Sequence, residues 1–231
     1  RRAATAPPPA RRSPRSCSLD LRRAGAKAVL VGPAAPPALP FEVVESKIQV
    51  PPVLAGTVSR TALVNRLRAA GAFPLVLVVA PAGYGKTTLL SQWANRDVRP
   101  FAWVSIDGRD NDPVPFLRHV AAALDRVEPI PASALEPLSL DGGSAWTRAL
   151  PRLAESIRSR QSPFVLVLDD ADLLTRDSIS AVAALVEHVP AGSMIVLSSR
   201  VLPKLPVAAL RAGGPLLEIG PYELALSRRE A

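Results

Sequence analysis

Leu75-Val76-Leu77-Val78-Val79-Ala80-Pro81-Ala82-Gly83-Tyr84-Gly85-Lys86-Thr87-Thr88 runs from an unbroken apolar segment into a glycine turn and then into lysine and threonine. The apolar part reads as a strand buried on both faces, and the turn with its lysine and threonines has the layout of a phosphate-binding P-loop. Gly83 and Gly85 allow positive φ, so that the amides of Ala82, Gly83, Tyr84 and Gly85 can turn inward as a nest for an anion. Lys86 places an ammonium against the β- and γ-phosphates and Thr87 a hydroxyl on Mg²⁺. A helix starting near Lys86 adds its dipole, and Thr88 is within reach of the α-phosphate. The pattern opens on Ala80 rather than glycine. The segment predicts a nucleoside triphosphate ligand.

A second apolar strand, Phe164-Val165-Leu166-Val167-Leu168, closes on Asp169-Asp170. A parallel strand buried on both faces tolerates charge only at its carboxyl end, where open α/β sheets also bind their ligands. Asp169 is therefore the expected Mg²⁺ ligand, direct or through water, and Asp170 the residue that orients or deprotonates an attacking water. Met194-Ile195-Val196-Leu197-Ser198-Ser199-Arg200 repeats the logic with a cationic end. Arg200 is a candidate sensor of the γ-phosphate, set against the plainer reading of a surface arginine paired with an aspartate. None of the four lysines sits in an Asn-Lys-x-Asp guanine-reading context, which favours adenine and makes ATP the expected nucleotide.

Further elements come from periodicity and capping. Helices are expected over Thr61–Ala70, capped by Ser59 or Thr61, and from Asp112-Pro113 to about Val127. Others are expected over Trp146–Arg158, where Pro151 kinks the helix or starts its second half, and over Ser178–His188. Strands are expected at Phe101–Ile106 and Leu216–Ile219. The alternation implies an α/β P-loop NTPase fold, a five-stranded parallel sheet with helices on both faces. Arg200 can face the γ-phosphate only if its strand lies between the P-loop strand and the strand ending at Asp169. Ser144 reads as a helix cap, and His119 and His188 as surface or half-buried residues.

The formal charge of +8 is misleading until it is located. Residues 1–30 hold 8 of the 28 basic and 1 of the 20 acidic side chains, leaving 20 against 19 in the remainder, so a DNA-binding face on the folded part is not supported. Residues 1–40 also hold 8 of the 25 prolines and are expected to be disordered, with residues 1–44 an extension outside the domain. The one cysteine, Cys17, fits a reducing, cytoplasmic setting, and the longest uncharged apolar stretch is broken by Pro74 and Pro81, so no membrane span is expected.

With these elements placed, Ser46 onward, roughly four fifths of the chain, resembles the ATP-binding module of the large LuxR-type transcriptional regulators, in the STAND class of signalling ATPases. The matching segments include Ser46-Lys47-Ile48, Val58-Ser59-Arg60, the P-loop followed by Ser91-Gln92-Trp93-Ala94, Trp103-Val104-Ser105-Ile106-Asp107, Asp110-Asn111-Asp112, Leu168-Asp169-Asp170 and Leu197-Ser198-Ser199-Arg200. The resemblance implies a switch: ATP and an inducer favour a self-associating state, slow hydrolysis to ADP resets it, and a C-terminal helix-turn-helix binds DNA. It also implies that Val58, Ser59 and Arg60 lie near adenine. It further implies that residues 45–220 form the nucleotide-binding domain and that 221–231 begin a helical domain, making the chain an N-terminal fragment. A stand-alone P-loop ATPase or kinase is the alternative; an acceptor-binding element would support it, and none is found.

Overall fold

Each central strand sends alternate side chains to two faces. In the computed structural model, which describes residues 39–140, 145–206 and 214–226, β1 (Leu75–Val79), β3 (Val165–Asp169) and β4 (Met194–Ser199) alternate strictly. Leu75, Leu77, Leu166, Leu168, Ile195 and Leu197 point to one side, and Val76, Val78, Val165, Val167, Met194 and Val196 to the other. The period-2 geometry of a strand makes this inevitable once both faces are covered.

The two covers differ in depth. On the leucine face lie α3 (Pro113–Asp125), α5 (Ala145–Arg158) and α6 (Arg176–Val186), contributing Phe116, Leu117, Val120, Leu153, Ile157, Val182 and Leu185 to the larger cluster. On the valine face, α1 (Thr61–Arg68) and α2 (Lys86–Ala94) bring Val64, Leu67, Leu89, Leu90 and Trp93. Trp93 stands edge-on to Phe101 of β2 (Phe101–Ser105) at 5.1 Å and donates its indole N–H to Asp97 at 2.7 Å.

The sheet is wholly parallel with the order β2-β3-β4-β1-β5, β5 being Leu216–Ile219. β4 lies between β1 and β3, the order expected from the sequence. Val78 pairs with Ser198 and Leu168 with Leu197, so the polar ends of β1, β3 and β4 emerge along one edge.

Other expectations are corrected or refined. Neither Ser59 nor Thr61 caps α1: its N-cap is Arg60, and the two hydroxyls sit 3.1 Å apart, serving the Arg96 guanidinium instead. Asp112 does cap α3, accepting from Val114 N–H at 2.9 Å with Pro113 at the first helical position. α5 runs continuously through Pro151. The short helix α4 (Ala132–Leu135) was not expected. Ser144 and residues 1–38 fall outside the described residues. Leu39, Phe41 and Val43, half-buried, pack on the larger cluster upstream of the boundary expected at 45.

His188 is half-buried, as expected, but His119 is buried. The reason is Asp110, whose fully buried carboxylate pairs with Lys47, accepts Asp107 N–H at 2.8 Å and lies 2.9 Å from His119 Nδ1. Burial pushes the Asp110 carboxyl up, and the hydrogen bonds from His119, Lys47 and Asp107 more than reverse this, holding it below the usual carboxylate range. Lys47 thereby fastens the N-terminal segment to the start of α3, since Val44 N–H also donates to His119 Nε2 at 3.4 Å.

A lowered folded-state value means that Asp110 contributes stability above the unfolded value and loses it as the pH falls through the folded one. Asp110→Ala is expected to lower the unfolding free energy at pH 7 by about 1–3 kcal/mol, because it strips His119 Nδ1 of its buried partner and leaves the buried Lys47 ammonium with only the half-exposed Asp107 carboxylate at 3.0 Å. It should also flatten the loss of wild-type stability below about pH 4. Urea melts at pH 7 and pH 3.5 check both, and an unchanged midpoint at pH 7 would contradict the buried-pair account.

Candidate nucleotide site

At the carboxyl edge of the sheet the chain leaves β1 through Ala80, whose N–H still bonds Ser199 O at 3.2 Å, and enters the exposed loop Pro81–Gly85. Gly83 and Gly85 have φ of 84° and 76°, and a Cβ at either would meet nothing within 4 Å. The backbone conformation thus demands glycine, while the concavity in front of the loop stays open to a ligand. Gly85 is the N-cap of α2, so the loop amides and the helix dipole face the same space.

Lys86 is buried, 7% exposed, and its ammonium donates to Ala80 O at 2.8 Å and Pro81 O at 3.2 Å. The adjacent Thr87 hydroxyl donates to Asp169 Oδ2 at 2.7 Å. That one bond joins the two motifs across the intervening strand β4. A threonine hydroxyl and a carboxylate converging at the mouth of a phosphate-type loop form a hard-oxygen pair that fits Mg²⁺, which takes one or two protein ligands and completes its shell with phosphate and water.

Asp169 is buried, whereas Asp170 is exposed and adopts the left-handed conformation, φ 59° and ψ 40°, uncommon for any residue but glycine. Partial burial raises the Asp170 carboxyl above the usual range, and the neighbouring Asp169 and Asp172 push it further, against Arg200 and Lys86. Arg200 pairs with Asp172: its backbone N–H donates to Oδ1 at 3.0 Å and its Nε to Oδ2 at 2.9 Å. The arginine thus takes the plainer of its two readings while remaining close enough to Asp170 to act on its charge.

Beside the loop opens a cavity of about 380 Å³ with three walls. One comprises Thr57, Val58 and Arg60, the second Gly83, Tyr84, Gly85 and Thr88, and the third Leu224, Ala225 and Leu226. Of the residues expected from the sequence, Val58, Arg60, Gly83, Tyr84, Gly85 and Thr88 line it. Ser59 is exposed and bonded to Arg96, Ala82 is exposed in the loop, and Lys86, Thr87, Asp169, Asp170 and Arg200 gather at the strand ends. Sequence reasoning missed Thr57 and the whole third wall, whose Leu224 bonds Arg60 across 164 positions and carries no local signal.

Comparison with known proteins finds a family match over the same part of the chain. The family model described as AAA ATPase domain matches residues 59–197. The HTH-type transcriptional regulator MalT of Yersinia enterocolitica is 36% identical over 191 residues, covering 82% of this chain and 21% of that protein, and MalT of Yersinia pestis aligns with the same figures. The chain therefore spans about a fifth of the length of these curated relatives. Among solved structures, a STAND protein with a tetratricopeptide repeat sensor from Pyrococcus horikoshii superposes with a TM-score of 0.51 at 13% identity, over 81% of this chain and 26% of that one. Cdc6p from Pyrobaculum aerophilum gives 0.50 at 20% identity, over 76% and 49%. These two share the fold. By its match over residues 59–197 the chain belongs to the AAA ATPase domain family, and in sequence it is similar to the MalT-type transcriptional regulators.

Proposed function

We propose that this domain binds ATP with Mg²⁺ and hydrolyses it slowly, as the nucleotide switch of a LuxR-type transcriptional regulator. The observation that carries the reading is the 2.7 Å bond from Thr87 to Asp169, which supports reading this hydroxyl and carboxylate as the metal-binding pair. The amides of Ala82–Gly85 and the Lys86 ammonium take the phosphates, exchanging the Ala80 and Pro81 carbonyls for phosphate oxygens. Thr87 and Asp169 would hold Mg²⁺, which would supply charge neutralisation for phosphoryl transfer. The apolar cavity between Val58 and Leu224–Leu226 takes the base.

Asp170 orients water and accepts its proton; Arg200, released from Asp172, serves as the sensor of the γ-phosphate. Hydrolysis to ADP resets the switch. Similarity to MalT supports placing the domain in a cytoplasmic regulator that self-associates in its ATP state and binds DNA through a separate helix-turn-helix domain.

Lys86→Ala is expected to weaken ATP binding at least about tenfold, the loss of a charge-assisted contact present in the bound ground state. Asp170→Asn keeps binding and slows hydrolysis about 10²-fold to 10⁴-fold. Titration with a fluorescent ATP analogue and phosphate release, run side by side, test the pair. Equal loss of binding in both variants would move Asp170 to the metal, and undiminished turnover would remove it from catalysis.

The raised Asp170 value adds a pH signature. A base must be ionised to act, so hydrolysis should fall on acidification from a higher pH than an ordinary carboxylate would give, while binding through Lys86 persists. A hydrolysis profile that stays flat down to about pH 4 would contradict this assignment.

A further inference from the structure

Gln92 spends both ends of its side chain on one stretch of backbone. It lies on α2, the helix that begins at Lys86, and is buried, 4% exposed. Its Oε1 accepts Arg60 N–H at 2.8 Å and its Nε2 donates to Val58 O at 2.8 Å. A buried amide satisfied in this two-sided way fixes the segment it grips relative to its own helix. That segment is one wall of the cavity.

Arg60 carries the connection onward. Its buried guanidinium donates from Nη1 to Leu224 O at 2.7 Å, and from Nη2 to Glu223 O at 3.1 Å and Ala225 O at 3.4 Å. These carbonyls close the one-turn helix Pro221–Leu224, an end where carbonyls lack helical partners and a cation is favourable. On the outside, Arg66 of α1 reaches Glu223 at 3.7 Å. A continuous line of hydrogen bonds therefore runs from the P-loop helix through Gln92, Val58 and Arg60 to the segment after β5, along two of the three cavity walls.

We propose that Gln92 and Arg60 are positioning residues that couple nucleotide occupancy to the docking of Pro221–Leu226. The inference rests on the reading of the cavity as the nucleotide site and adds a regulatory consequence. A nucleotide touching Leu224–Leu226 meets that wall only when the segment is docked on Arg60, so it binds the docked state better and shifts the population toward it. Reciprocity then requires docking to raise nucleotide affinity by the same factor. The P-loop thereby reports its state to the chain that leaves the sheet, without contact between the phosphates and that chain.

Region-resolved hydrogen exchange on the full chain, with and without a non-hydrolysable ATP analogue and Mg²⁺, tests the coupling. In the wild type, nucleotide should slow exchange both at the loop amides 83–88 and at 222–226. Gln92→Met, which keeps the volume and removes both hydrogen bonds, and Arg60→Lys, which keeps the charge but not the fork, are compared at saturating nucleotide. Both should retain protection at 83–88 and lose most of it at 222–226, with affinity about tenfold weaker.

Melting of the ligand-free variants checks that they are folded, and the wild-type pattern is decisive even if one is not. Protection at 83–88 without any at 222–226 in the wild type overturns the coupling and spares the nucleotide site. Undiminished protection at 222–226 in both variants overturns the roles of Gln92 and Arg60. No protection at 83–88 in the wild type overturns the site reading and the coupling with it.

Discussion

A strand buried on both faces can carry charge only where it ends, and this constraint organises everything functional in the domain. Between the leucine face under α3, α5 and α6 and the valine face under α1 and α2 there is no place for an unpaired carboxylate or ammonium along β1, β3 or β4. Lys86, Asp169 and Arg200 are therefore forced to a single edge. Because β4 lies between the other two strands, the polar groups arrive in an order that lets α2 span the gap. The bond from Thr87 to Asp169 is the product of strand order as much as of side-chain chemistry.

What was legible in the sequence was what depends on short-range pattern. The apolar runs marked the strands, the glycine turn marked the loop, and the strand order matched the one inferred from the end charge of Met194–Arg200, although Arg200 itself pairs with Asp172. Pairings set by the tertiary structure were opaque. His119 looked like a residue of a half-polar helix face, yet a buried Asp110 recruits it together with Lys47 from 63 positions upstream. The hydroxyls of Ser59 and Thr61 looked like caps, but Arg96, which no capping rule considers, takes both. Leu224–Leu226 trail the last strand as an ordinary segment and become a cavity wall only through Arg60.

The electrostatics separate two carboxylates that the sequence presents as a pair. Asp169 is buried and tied to a hydroxyl, which suits a fixed role in holding charge. Asp170 is exposed, raised by partial desolvation and by its acidic neighbours, and held in a backbone conformation that few residue types accept. Arg200 stands between its present partner, Asp172, and this raised carboxyl. Adjacent residues with divergent environments are a usual way of dividing structural from proton-handling work.

The ammonium of Lys86 is already engaged. Its bonds to the carbonyls of Ala80 and Pro81 make the loop its own counter-ligand, so any incoming group must out-compete two neutral oxygens already in place. A neutral molecule offers nothing better than what it displaces, whereas a polyanion does. A loop engaged in this way favours a polyanion by charge before shape is consulted. On the proposed nucleotide reading, part of the selectivity against uncharged molecules of similar size would reside in this intramolecular competition.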